Sequence, residues 1–181
     1  MIARGQSDLA PRTPSTLSGK RHTCRMSREN VDLVKALQPA RVDLVEGLAE
    51  ADAGGDFLTP NAPADSFADD FEVEWVASSS TQRPHYRGLA GMIEGWRDWL
   101  TPWASYRIDA EDFLDAGDEV VVLVHVRAKT SRDGVVMEHS PAAVWTIEDG
   151  KVIRIRFFLE RDIALVAAGL PKQASHSGLS A

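Results

Sequence analysis

The sequence predicts an α+β domain, with helices gathered early and antiparallel strands gathered late on one curved sheet. Apolar residues recur at helical spacing between Val31 and Leu48 and again between Leu89 and Leu100. Alternating or valine-rich runs fill most of the stretch from Phe71 to Leu159, and short turn sequences separate them. Helix-rich and strand-rich halves of this kind pack as helices against one face of a sheet.

The elements follow in chain order. Ser27, Glu29 and Asn30 offer capping chemistry ahead of Val31, Val34, Leu37, Val42, Val45 and Leu48, so a helix is expected there. Pro39 interrupts it, as a kink near Leu37-Gln38 or as a junction of two helices, and Ala53-Gly54-Gly55-Asp56 ends it. Pro63 to Ala68 suggests a short second helix with proline in its first turn. Phe71, Val73 and Trp75 alternate with Glu72 and Glu74 as a strand with one wet face. Leu89, Met92, Ile93, Trp96, Trp99 and Leu100 form the stripe of a third helix, which Thr101-Pro102 stops. Four strands follow, at Tyr106–Leu114, Val120–Val126, Val135–Ile147 and Val152–Leu159, the last two joined by the tight turn Glu148-Asp149-Gly150-Lys151. Ile163 to Ala168 is a terminal helix closed by Gly169 and Pro171.

The 181 residues suit one domain, 44% hydrophobic and 26% charged, and the expected boundaries are a disordered tail 1–28, a domain 29–171 and a second tail 172–181. A net charge of −7 argues against nucleic-acid and anionic-membrane binding. No apolar run is long enough for a membrane span or a signal peptide. The single Cys24 excludes an internal disulfide and points to a reducing cytoplasm. Met26, directly ahead of the first helix, reads as the natural start of translation, which intact-mass measurement checks. Phosphate loops, paired Cys-x-x-Cys spacings and His-Glu-x-x-His zinc motifs are all missing, so no cofactor is expected.

With this order of elements, Phe67-Ala68-Asp69-Asp70-Phe71-Glu72-Val73-Glu74-Trp75, Tyr86-Arg87-Gly88 and Glu148-Asp149-Gly150-Lys151-Val152-Ile153-Arg154 resemble a SnoaL-like member of the nuclear transport factor 2-like superfamily. The ending Arg161-Asp162 to Gly169-Leu170 is similar to a large bacterial subgroup, and the resemblance runs from about Glu29 to Leu170. It implies a cone, in which a strongly bent sheet wraps long helices around a mostly apolar cavity, and a homodimer paired sheet to sheet. The isomerases of the superfamily have a general-base aspartate where this chain has Trp75, and a second acid near Ala143, so steroid isomerisation is disfavoured. The epoxide hydrolases place an arginine and an aspartate two apart on one strand with another aspartate on the last. Here His125 and Arg127 stand two apart and Glu160 ends the last strand. The cyclases imply an acid before the terminal helix, Glu160 or Asp162.

His125, Arg127 and Glu160 are therefore the candidate catalytic group, His125 because an imidazole serves as a base near neutral pH. A satisfied core histidine is the competing reading. Trp75, Tyr86, Trp99, His139, Trp145 and Phe158 are candidate ligand contacts, although aromatic bulk is more commonly core packing. A metal held by His125 and His139 lacks a third ligand with suitable spacing, so no metal site is expected. Whether Arg156, Phe158 and Glu160 face the cavity stays open, because Arg154 and Arg156 also suit a face turned away from the helices. The function expected is binding of a small hydrophobic or polycyclic molecule, with acid/base hydration, cyclisation or isomerisation as the chemistry. A non-catalytic binding or assembly module with a side-chain-filled cavity is the alternative.

Overall fold

The computed structural model describes residues 18–53, 65–76 and 85–172. Helix α1 spans Ser18–Leu37, followed by a short strand β1 (Arg41–Asp43) and helix α2 (Leu44–Asp52). The segment 18–28, expected to be disordered, is thus helical, and the 1–17 part of the expected tail lies outside the described residues. Ser27 is no cap. Its hydroxyl bonds the Asp115 carboxylate, and Asn30 Nδ2 donates to the Gly117 carbonyl at 3.1 Å, which fastens α1 to a distant turn. Pro39 does separate two helices. Between them β1 pairs with a later strand, and the Asp43 carboxylate caps α2 by accepting from Val45 N–H at 3.1 Å.

Strand β2 covers Phe67–Val76, so Phe67 and Ala68 open a strand instead of ending the expected second helix; residues 63 and 64 of that helix lie outside the described residues. The three-residue β3 (His85–Arg87), which no alternation announces, leads into α3 (Gly88–Leu100). Then come β4 (Trp103–Asp115), β5 (Glu119–Thr130), β6 (Val136–His139), β7 (Ala142–Glu148), β8 (Lys151–Phe158) and α4 (Arg161–Ala167). The single strand expected over 135–147 is two, because the chain breaks at Ser140-Pro141. Proline has no N–H for the ladder, and its carbonyl accepts instead from Val124 N–H at 3.2 Å. The β7–β8 turn is as expected: Asp149 (φ 49°) and Gly150 (φ 76°) both take positive φ, as a two-residue hairpin of this hand requires.

The eight strands form one sheet in the order β1-β4-β5-β7-β8-β2-β3, with β6 beside the far end of β5. Every pairing is antiparallel except β2 with β8. Register shifts in β4 near Glu111 and in β2 between Phe67 and Glu72 introduce irregularities of the kind that bend a sheet. Its two faces are both buried near the middle of β5. Val120, Val122, Val124, Val126 and Ala128 join the main core with α1, α2 and α3 residues, whereas Val121 and Leu123 join Ala142, Val144, Phe158, Ala164 and Leu165 beneath α4. The result is a cone-shaped α+β fold with three helices on the concave side and α4 on the convex side.

Candidate ligand cavity

The concave side encloses a cavity of about 80 Å³, lined by Leu37 to Pro39 at the end of α1, by Met92, Trp96 and Trp99 of α3, and by strand residues that include Trp75, Tyr106, Val126, Ala143, Trp145 and Phe157. It is partly enclosed. Among the described residues, no Asp, Glu, Lys, Arg or His lines it. Aromatic rings build one wall: Trp75 meets Trp96 edge-on at 5.5 Å and Phe157 at 5.1 Å, while Trp96 meets Phe157 at 4.8 Å and Tyr106 at 6.5 Å. Offset and edge-on rings of this sort pack tightly and resist rearrangement.

Strand parity decides where each candidate falls. His125 and Arg127 share the side of Val121 and Leu123, so both turn away from the cavity. Arg127 is exposed and pairs with Glu138 at 3.6 Å. Glu160 is exposed at the N-cap of α4, where its carbonyl accepts from Ile163 and Ala164, and it does not line the cavity. The three residues expected to act together are not brought together around the cavity. The question left open for β8 is answered by Ile155 and Phe157, which face the core, while Arg156 lies on the other side and donates to Glu119 at 2.6 Å. Phe158 packs beneath α4 and also touches the cavity.

Of the expected ligand contacts, Trp75, Trp99, Trp145 and Phe158 line the cavity. Tyr86 does not. It stands behind Trp75 with its ring edge-on at 5.3 Å, and its hydroxyl donates to Asp98 at 3.0 Å. His139 lies opposite Val126, not opposite His125, and therefore on the concave face. There its Nε2 is 3.3 Å from the hydroxyl of Tyr106, a cavity residue that is only 3% exposed. Burial, more than any partner, pushes the Tyr106 phenol up to about 12, and a Trp99 hydrogen bond opposes this. Burial, and then the nearby charge of His125, lower the His139 imidazole from its ordinary value. At neutral pH the pair is therefore an uncharged phenol beside an uncharged imidazole.

Tyr106, Trp96 and Phe157 are among the cavity residues that were not expected as ligand contacts. The signal was present: Tyr106 shares strand parity with Ile108, and Trp96 lies on the apolar stripe of α3 with Met92 and Leu100. The indole nitrogens of Trp96 and Trp145, each on a residue 5% exposed, are buried without a hydrogen-bond partner. As for cations, Glu72, Glu74 and His85 bring ligand atoms within 4.8 Å of one another on the convex side. Glu72 is already held there by Arg154 at 2.8 Å and faces Arg87 at 3.4 Å, so these residues form a ladder of ion pairs.

No curated protein matches the chain by sequence. Three solved structures share its fold, each with a TM-score of 0.51. TerC, co-crystallized with polyporic acid, is 19% identical, with 77% of this chain and 97% of that one covered. A phenazine biosynthesis-related protein, PhzB2, from Pseudomonas aeruginosa is 16% identical, with 90% and 100% covered. A SnoaL-like protein from Jannaschia sp. CCS1 is 18% identical, with 78% and 91% covered. Residues 43–155, from the end of β1 into β8, match the model of the SnoaL-like domain. The chain belongs to the SnoaL-like domain family.

Proposed function

We propose that this protein binds a small hydrophobic molecule of about one ring in the cone. The observation that carries the reading is the cavity itself: a buried apolar space walled by Trp75, Trp96, Trp99 and Phe157 and left unfilled by the surrounding side chains. Its 80 Å³ is about half of the roughly 150 Å³ that holds a benzene in an engineered apolar cavity. A single ring therefore enters with modest adjustment of the wall, and a polycyclic molecule requires a tryptophan to move or part of itself to remain in the mouth. Size favours the smaller guest. Any acid/base step in this cavity falls to Tyr106 and His139, the proton-exchanging pair at its edge, and not to the group on the convex face.

Ethylbenzene titrated against tryptophan fluorescence tests the binding. Saturable quenching is expected, and Ala143→Leu, which adds bulk to a residue in the wall, is expected to weaken it at least tenfold while near-ultraviolet circular dichroism shows the fold retained. Equal affinity in the variant would remove the cavity as the binding site. Native mass spectrometry of the same protein counts its subunits and so tests the homodimer that the sequence resemblance implies.

A further inference from the structure

We propose that Gly95 sets the size of molecule the cavity accepts, by giving the Trp75 ring a notch in α3 that keeps it out of the cavity. This rests on the ligand-binding reading above and adds the pair of residues that limits the guest. Gly95 lies in the interior of α3 and is buried. Glycine is a poor residue for a helix interior. Its φ lies outside the left-handed region, so the position calls for space and not for backbone freedom. A Cβ there would overlap Cη2 and Cζ3 of Trp75 and come within 3.0 Å of Tyr86 Cε2. One turn earlier, a Cβ at Gly91 would stand 3.1 Å from Tyr86 Cβ. The two glycines form a groove on α3 that receives Tyr86 and the outer edge of the Trp75 ring. Gly47 of α2 is different, because among the described residues nothing stands within 4 Å of a Cβ there.

The consequence for the cavity follows from where the Trp75 ring can go. Tyr86 stands edge-on to it at 5.3 Å, Trp96 edge-on at 5.5 Å, and Phe157 at 5.1 Å. Tyr86 is poorly placed to yield, since its Cβ sits against Gly91 and its hydroxyl is held by Asp98 at 3.0 Å. Trp75, Trp96 and Phe157 all line the cavity, so the unfilled space that these rings share is the void of about 80 Å³. A methyl group at position 95 therefore drives the Trp75 ring toward that void and shrinks it. Close-packed interiors transmit such strain to the nearest free volume. A smaller ring at position 75 does the reverse, vacating the notch and enlarging the space for a guest. Gly95 and Trp75 thus act as one size-setting pair.

Calorimetry on the full chain with benzene, ethylbenzene and indole, guests of increasing size, tests the pair. Gly95→Ala is expected to weaken ethylbenzene about tenfold relative to benzene, a change in ratio that a general loss of stability does not produce. Trp75→Phe is expected to strengthen two-ring indole about tenfold relative to benzene. In the double variant the added methyl takes the room that the shorter ring leaves. Its ethylbenzene-to-benzene ratio is therefore expected to return to within about threefold of the wild-type value, the non-additivity of side chains in contact. Gly47→Ala makes the same substitution in a helix away from the notch and is expected to leave every ratio unchanged. If Gly95→Ala fails to fold, Trp75→Phe and the double variant decide. An unchanged ethylbenzene ratio in Gly95→Ala, an unchanged indole ratio in Trp75→Phe, or an equal shift in Gly47→Ala overturns the pair and leaves the cavity standing as a binding site. No binding of any probe by the wild-type chain overturns the ligand-binding reading together with this one.

Discussion

His125 shows how a single side chain can be visible in the sequence while its surroundings are not. It interrupts a run of valines, and alternation correctly groups it with Val121, Leu123 and Arg127. Which of the two faces holds the cavity is a separate matter, because Val120, Val122 and Val124 are as apolar as the residues between them. Both sides of β5 are buried, one by the cone and the other by α4, so the composition of the strand carries no sign of its facing. His139 has the opposite history: weighed as a partner of His125, it partners Tyr106. Its pH behaviour follows from burial. Because the folded protein holds the imidazole below its ordinary 6.5, the unfolded chain binds a proton first as the pH falls. Stability from this group is thus complete above pH 6.5 and declines as the pH drops through the lower folded value. Urea midpoints measured above and below pH 6.5 are expected to show that decline, and His139→Asn is expected to flatten it.

At the level of elements, Asp43 joins β1 to α2 and Gly95 seats α3 against β2, and neither role is announced by spacing. Asp43 ends β1 and starts α2. Burial pulls its carboxyl upward, yet bonds from Ser105, Tyr106 N–H, Val45 N–H and Arg107 outweigh that and hold it below the ordinary carboxylate value. Asp43→Ala removes a helix cap and leaves a buried strand N–H without its acceptor, so a loss of about 2–3 kcal/mol is expected in denaturant unfolding. Gly95 lies on the face of α3 against β2. A Cβ there would overlap Cη2 and Cζ3 of Trp75 and come within 3.0 Å of Tyr86 Cε2. Gly95→Ala gains about 1 kcal/mol of helix propensity, but overpacking against a ring wedged between Tyr86, Trp96 and Phe157 costs about 1–3 kcal/mol. A net destabilisation of about 1 kcal/mol is expected, with a shift in tryptophan emission. The long elements were legible because their periods are long: α3, β4, β5 and the β7–β8 hairpin lie where spacing and turn residues put them. The three-residue strands β1 and β3 were not, since a stretch that short shows no period, and their pairing with β4 and β2 creates them.

For the molecule as a whole, the order of elements and the family motifs were enough to anticipate the cone, while the chemistry inside it was not legible. The Tyr106 phenol and the indoles of the wall belong to residues that sequence patterns file with the core, and the pairing of Tyr106 with His139 shows only in the structure. Arg154 and Arg156, residues of a kind that attracts attention in a sequence, form ion pairs with Glu72 and Glu119 on the convex side. The parallel pairing of β2 with β8 was equally hidden, because strands some eighty positions apart leave no local trace of their partnership. That pairing has a consequence for biosynthesis. A ribosome must extrude β8 before β2 has a neighbour on that side, so the edge of β2 from Glu72 to Val76 stays unpaired while the intervening elements are made. Closure of the sheet is accordingly a late, slow event, and the wait for it is when this chain is most open to capture by chaperones or by other copies of itself.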